Sequence, residues 1–263
     1  MDMGYLAGID LGTSSVKVLI MDPDGRTLAV SSRGYDVMTP KMSYAEQEPQ
    51  VWWDCTVMAI REAMEKSGIR PEELDGIGLS GQMHGLVAFD RNNEPVMPAI
   101  IWMDQRSAKE TALIKELAGD LLETELLNQP GAGMMICSLL WLKRHRPDVY
   151  DRIAHVMLPK DYIRYRLTGT IGSDFSDACA TLAFSVKGRC WCMELIRRAG
   201  LKEDIWPQVG ESSQAAGHVW AEAAARTGLS GHTRVVYGAG DSSAQLTGNG
   251  VIEEGIMACN IGT

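Results

Sequence analysis

Four short stretches carry groups able to do chemistry, and each follows an apolar run. They are Asp10-Leu11-Gly12-Thr13-Ser14-Ser15, Gln82-Met83-His84-Gly85, Trp102-Met103-Asp104-Gln105-Arg106 and Gly238-Ala239-Gly240-Asp241. In the first, small residues allow a phosphate to approach the backbone. Thr13 and Ser14 add hydroxyl donors, and Asp10 suits a Mg²⁺ held through its waters. The same residue types build any tight β-turn, and on these residues alone the two readings stand level. The G-x-x-x-x-G-K-[ST] spacing of a Walker loop is absent, and Gly238–Asp241 does not make a G-x-G-x-x-G fingerprint.

Asp241 reads as an N-cap for a helix beginning SSAQLTG. Two glycines just before it argue for more, because they leave side-chain-free space beside the carboxylate. His84 at a strand end is ordinarily a satisfied structural residue. Strand ends of α/β sheets are also where ligands sit, however, and Gln82 with His84 suits the hydroxyls of a polyol. Asp104 also ends a strand. Its plain alternative is a local ion pair with Arg106, worth about 0–1 kcal/mol.

The elements that must position these groups are legible from periodicity. Residues 5–10, 15–22 and 26–35 read as three strands, with Asp24-Gly25 as the second reversal. Glu48-Pro49 opens a helix in which Trp53, Val57, Ile60 and Met64 share one face and which Gly68 ends. Further strands are predicted at 75–82, 85–90, 98–104, 154–159, 233–238 and around 256–260. Helices are predicted at 107–117, at 136–145 with Pro147 as a stop, at 160–169 closed by Gly169, and at 221–228. Residues 170–220 carry turn signals and little periodicity. Strands alternating with helices make this an α/β protein.

Composition bounds the partners. The 263 residues carry a formal charge of −9, with 25 basic against 34 acidic side chains, so nucleic acid is an unsuitable partner. No segment has the length and apolarity to span a bilayer, and the start of the chain lacks a signal-peptide pattern, so neither a membrane nor secretion is expected. The six cysteines show neither disulfide nor zinc spacing, and Cys190 with Cys192 is an incidental pair. Reduced thiols in the cytoplasm are the expectation.

Eight stretches, in order, resemble the FGGY carbohydrate kinases of the actin-like ATPase superfamily: GIDLGTSSVKV, EQEPQVWWD, SGQMHG, IIWMDQR, LLWLKRHRP, MLPKDYIRYRLTG, SDFSDA and GAGDSSA. The resemblance runs from Leu6 to Thr263. Family members often carry Asn or Gln where Met103 stands and a third Gly where Ala239 stands. The resemblance implies a ribonuclease-H-like (actin-like ATPase) domain with a mixed central sheet flanked by helices. It makes residues 1–245 the family's N-terminal domain. Residues 246–263 become the first strand and the start of a second phosphate hairpin, because Asn260-Ile261-Gly262-Thr263 echoes Asp10-Leu11-Gly12-Thr13.

The implied reaction is ATP-dependent phosphorylation of a sugar hydroxyl, with D-xylulose the favoured acceptor and D-xylulose 5-phosphate the product. Asp241 would be the catalytic base and Asp10 would position Mg²⁺. Gly12, Thr13, Ser14 and Thr263 would lie near the nucleotide phosphates. Met83 would pack on the sugar and His84 would hydrogen-bond it, with Gln82 and Asp104 in the same pocket. The alternatives are a family kinase for gluconate, ribulose or another polyol, or, for residues 1–263, a non-catalytic sugar-binding module. Residues 1–263 alone are expected to fold without catalysing the reaction. A homodimer formed through the edge of the strand around 256–260 is the remaining partner expectation.

Overall fold

Apolar residues at every second position set the first two strands. The computed structural model describes residues 4–259. β1 (Tyr5–Leu11) buries Ala7, Ile9 and Leu11, and β2 (Ser15–Met21) buries Val16, Val18 and Ile20 on the same face. They pair antiparallel from Leu11 opposite Val16 to Leu6 opposite Met21, and β3 (Thr27–Gly34) follows β2 antiparallel. Helix α1 (Pro49–Ser67) covers β2 and β3 with its apolar face and ends at Gly68, whose φ of 70° is left-handed.

β4 (Leu74–Gly81) returns parallel to β1. The chain then leaves the sheet through α2 (Ala108–Ala118), α3 (Met135–His145), α4 (Pro159–Thr168) and the short α5 (Phe175–Cys179). It comes back as β5 (Ala215–His218), passes through α6 (Ala221–Thr227), and adds β6 (Arg234–Val236) and β7 (Ala239–Gly240) before α7 (Asp241–Gly248). The described strands run in the order β5-β6-β4-β1-β2-β3, and β7 pairs with the end of β4. β6 and β7 are both parallel to β4, whereas β5 is antiparallel to β6.

One core lies between the sheet and helices α1, α4 and α6, centred on Ile9, Val18, Trp52, Ile77 and Ile163. A second fills the helical excursion, with Leu86, Ile114, Leu139, Leu142, Val156 and Ile196. The mixed sheet and its flanking helices are those the sequence implied.

Three local expectations are corrected. The strand foreseen at 98–104 is reduced to Ala99–Ile100, because Asp104 N–H closes a turn onto the Ile101 carbonyl and swings Trp102 and Met103 outward. Pro147 ends α3 but also starts a further helical turn, Pro147–Tyr150. No strand forms at Ile256–Cys259, where Ile256 and Met257 are exposed; Asn260, the last residue of the expected strand, lies outside the described residues. An extended segment without a paired neighbour leaves its backbone groups to water and gains nothing by straightening. Helix α7 runs unbroken through residues 245–246. Among the described residues no helix is long and apolar enough to cross a membrane, and the six cysteines are free.

Candidate active site

Parallel strands put their carboxyl ends on one edge, and three loops leave the sheet there. Asp10 on β1 stands opposite Ser80 of β4, and Ala239 on β7 stands opposite the same Ser80 from the other side. At one strand spacing each, the Asp10 and Ala239 backbones are about 10 Å apart. This is the position at which open α/β sheets hold ligands.

The first loop is a tight hairpin. Gly12 N–H donates to the Ser15 carbonyl at 3.0 Å, and the Tyr35 hydroxyl donates to the Gly12 carbonyl at 2.6 Å. Burial holds the Tyr35 phenol well above its usual range, so it stays protonated as that donor. Thr13 is held from two directions: its carbonyl accepts from Gln47 Nε2 at 2.7 Å and its Oγ1 from Trp102 Nε1 at 2.9 Å. Ser14 is exposed and Thr13 partly so. Asp10 is half-buried; its Oδ1 accepts from Ser80 Oγ at 3.1 Å. Both Asp10 and Ser80 border an open cavity of about 740 Å³ between the outer sheet face and α7.

The second loop turns at His84. Its backbone is left-handed, with φ 68°, and Gly85 N–H closes the turn onto the Met83 carbonyl at 2.8 Å. His84 Nδ1 lies 2.7 Å from the Ala180 carbonyl. A carbonyl only accepts, so Nδ1 carries the hydrogen, and in the neutral ring Nε2 is left as an acceptor. His84 shares a cleft of about 450 Å³ with Trp102, Met103, Gln105, Gly131 and Met134.

The third loop depends on glycine twice. Gly238 has φ 79°, and a Cβ there would sit on the Leu79 carbonyl oxygen. A Cβ on Gly240 would stand 2.9 Å from Met83 Sδ, so glycine is what lets Met83 lie against this loop. The second and third loops are therefore in van der Waals contact. Asp241 follows as the first residue of α7, inside the helix rather than capping it, since Gly240 occupies the cap position. Its carboxylate is exposed and accepts from Ser242 N–H at 2.6 Å.

Two expected sugar contacts have other work. Asp104 is buried, its carboxylate saturated by Ala45 N–H at 2.7 Å and by Arg106, whose Nη2 also reaches Glu46 at 2.6 Å. A carboxylate closed off this way braces a turn and does not reach the cleft. Gln82 is also buried. Its Nε2 donates to Gln47 Oε1 at 2.9 Å and its N–H to the Leu11 carbonyl at 2.8 Å, tying the first loop to the second. Met83, His84 and Asp10 are partly exposed and Asp241 is exposed. Thr263 lies outside the described residues.

Sequence reasoning missed Trp102 and Gln105 as cleft residues, although the end of an apolar run next to Asp104 was a usable signal. It also missed a buried charge cluster below the third loop. Lys160 Nζ lies 2.7 Å from Asp161, 2.9 Å from Asp174 and 3.5 Å from Asp177, and Arg164 adds a bond to Asp161 at 2.6 Å. All five side chains are buried. Burial pushes the Asp177 carboxyl well above the ordinary carboxylate range, with Asp161 and Asp174 adding to the effect against Lys160. Two cations and three carboxyls balance when one carboxyl keeps its proton.

A mixed sheet in this order, with an acidic hairpin after its first strand and a second carboxylate at the same edge, defines an actin-like ATPase domain. The chain belongs to the FGGY family of carbohydrate kinases, residues 5–248 matching the family's N-terminal domain. It is 36% identical over 261 residues to a xylulose kinase of Bacillus subtilis (strain 168), covering 99% of this chain and 52% of that relative. With a xylulose kinase of Escherichia coli (strain K12) it shares 34% over 257 residues, covering 97% and 52%. The chain thus spans about half the length of the curated relatives it matches. A crystal structure of a xyloylose kinase from Brucella ovis superposes with a TM-score of 0.89 at 37% identity, covering 95% of this chain and 51% of that one.

Proposed function

We propose that this chain supplies the sugar-binding and proton-accepting half of an ATP-dependent sugar kinase, acting on D-xylulose in the cytoplasm. In this reading residues 1–245, with the remainder of α7, form the N-terminal domain of a two-domain enzyme. The observation that carries the reading is the convergence of three loops, Gly12–Ser14, Gln82–His84 and Gly238–Asp241, at one sheet edge with Met83 seated on Gly240.

Phosphoryl transfer asks mainly for alignment and charge stabilisation. Asp241 presents an exposed carboxylate one residue beyond the glycine that Met83 touches. A carboxylate is too weak a base to ionise a free alcohol, but it orients the hydroxyl and takes its proton as the O–P bond forms, for a factor of ~10²–10⁴. His84 Nε2 accepts from a sugar hydroxyl, while Met83 and the Trp102 ring offer apolar surface to the sugar's C–H groups. Thr13 and Ser14 lie near the phosphoryl group as it passes to the sugar, and Gly12 lets it approach the backbone.

Asp10 fits a hydrated Mg²⁺: it is a half-buried carboxylate at the mouth of the phosphate hairpin, with one oxygen fixed by Ser80. The ion would offset charge on the ATP phosphates. The relatives' names favour D-xylulose, and the cleft around His84 favours a neutral sugar over an acid such as gluconate. No Lys or Arg lines that cleft among the described residues. The test is ADP release by the complete two-domain kinase against D-xylulose, D-ribulose, D-gluconate and glycerol. The highest kcat/KM on D-xylulose supports the reading; a preference for gluconate overturns the substrate assignment.

A further inference from the structure

Among the described residues, the carboxylate of Asp241 is anchored to its own neighbour, through Ser242 N–H at 2.6 Å and Ser242 Oγ at 3.2 Å. Whatever fixes it in space must therefore act on its backbone, and the loop before it is held with unusual thoroughness. The Tyr237 carbonyl accepts from Lys160 Nζ at 3.3 Å and Arg164 Nη1 at 3.4 Å. Gly238 N–H donates to the Ser212 carbonyl at 2.9 Å, and Ser212 Oγ in turn donates to Asp174 Oδ2 at 2.8 Å. Gly240 N–H donates to Ser176 Oγ at 3.1 Å, and Ser176 Oγ donates to the same Asp174 Oδ2 at 2.6 Å. Asp174 itself is buried against Lys160.

The three carboxylates Asp161, Asp174 and Asp177 offer oxygens within 4.8 Å of one another, a spacing that suits a metal ion. Lys160 already provides the cation there. The three carboxyls thus surround Lys160, with Arg164 paired to Asp161, and Ser176 is the cluster's contact with the residue preceding Asp241. A hydroxyl suits this place because it accepts from an amide while donating to a carboxylate.

We propose that Ser176 is a positioning residue: held by the buried Lys160–Asp174 pair, it anchors the Gly240 amide and thereby sets the carboxylate of Asp241 against the sugar. The inference rests on the reading of Asp241 as the proton acceptor, and its test separates the two. Amide hydrogen exchange is measured on the ¹⁵N-labelled chain for the parent, Ser176→Ala, Ser176→Val and Ser176→Thr. Gly240 exchanges about tenfold faster in the Ala and Val variants and near the parent rate in Thr, while Ile9 and Leu79 are unchanged. The Thr and Val side chains match in shape, so their comparison decides the matter even if Ser176→Ala does not fold. In the complete kinase, Ser176→Val lowers kcat by about ten- to a hundredfold with sugar KM within about threefold, and Thr restores it. Gly240 exchange or kcat that is alike in Thr and Val overturns the proposal. Asp241→Asn, assayed beside them, judges the base assignment alone: full activity there with Gly240 still loosened in Ser176→Val defeats that assignment and keeps the anchor.

Discussion

His84 occupies a backbone region that costs a non-glycine residue of order 1–3 kcal/mol, and the bond from its Nδ1–H to Ala180 helps to hold it there. That bond also decides which ring nitrogen meets the sugar. His84→Ala removes one acceptor from a neutral hydroxyl, a loss of ~0.5–1.5 kcal/mol, so sugar KM should rise by about two- to tenfold. ATP KM should stay as it is; equal effects on both substrates would remove His84 from the sugar pocket. Gly238→Ala tests the third loop. The new Cβ would strike the Leu79 carbonyl at a left-handed φ, and a loss of about 1–3 kcal/mol in denaturant unfolding is expected, together with lower kcat. A variant as stable as the parent would mean that the loop moves aside at no cost.

At the scale of elements, helices α4 and α5 matter more than their sequences suggest, because they carry the charges under the third loop. Folding leaves Asp177 protonated to a higher pH than in the unfolded chain, so between the ordinary carboxylate range and that higher pKa the native state binds more protons. Stability contributed there is present at low pH and is lost as pH rises, at up to about 1.4 kcal/mol per pH unit. Asp177→Asn keeps the shape without needing the proton. Its stability relative to the parent should therefore increase from pH 5 to pH 8 in urea titrations; parallel curves would show that Asp177 is ionised in the fold. Much of the rest was legible in the sequence. The stretches 5–10, 15–22 and 26–35, with Asp24-Gly25 as a reversal, marked β1 to β3, and the four-three-four spacing with Gly68 marked α1. The Lys160 cluster was not legible, because charged residues at a helix start ordinarily face water and only tertiary contacts bring 160, 174 and 177 together. Asp104 misled for the opposite reason: a strand-end carboxylate looks the same in sequence whether it meets solvent or a buried arginine.

Across the whole molecule, two cores are joined by shared elements. Leu158 belongs to the helical core, whereas Tyr162, Ile163 and Leu167 on α4 belong to the sheet core, and Phe89 stacks on Tyr162 at 6.0 Å. Residues 87–89 also pair with 155–157. The chain should therefore unfold in one transition, with near- and far-ultraviolet circular dichroism melting together; two separated midpoints would show that the helical excursion is an independent unit. The position of Asp241 then follows from the assembly as a whole: β4 beneath it, Met83 beside Gly240, and the charge cluster behind. The most direct test of the account is D-xylulose-dependent ADP release by the complete kinase carrying Asp241→Asn. The expected result is a fall in kcat of ~10²–10⁴ with sugar KM within about threefold of the parent. Activity within about tenfold of the parent would contradict the central claim and leave Asp241 as no more than the first residue of a helix.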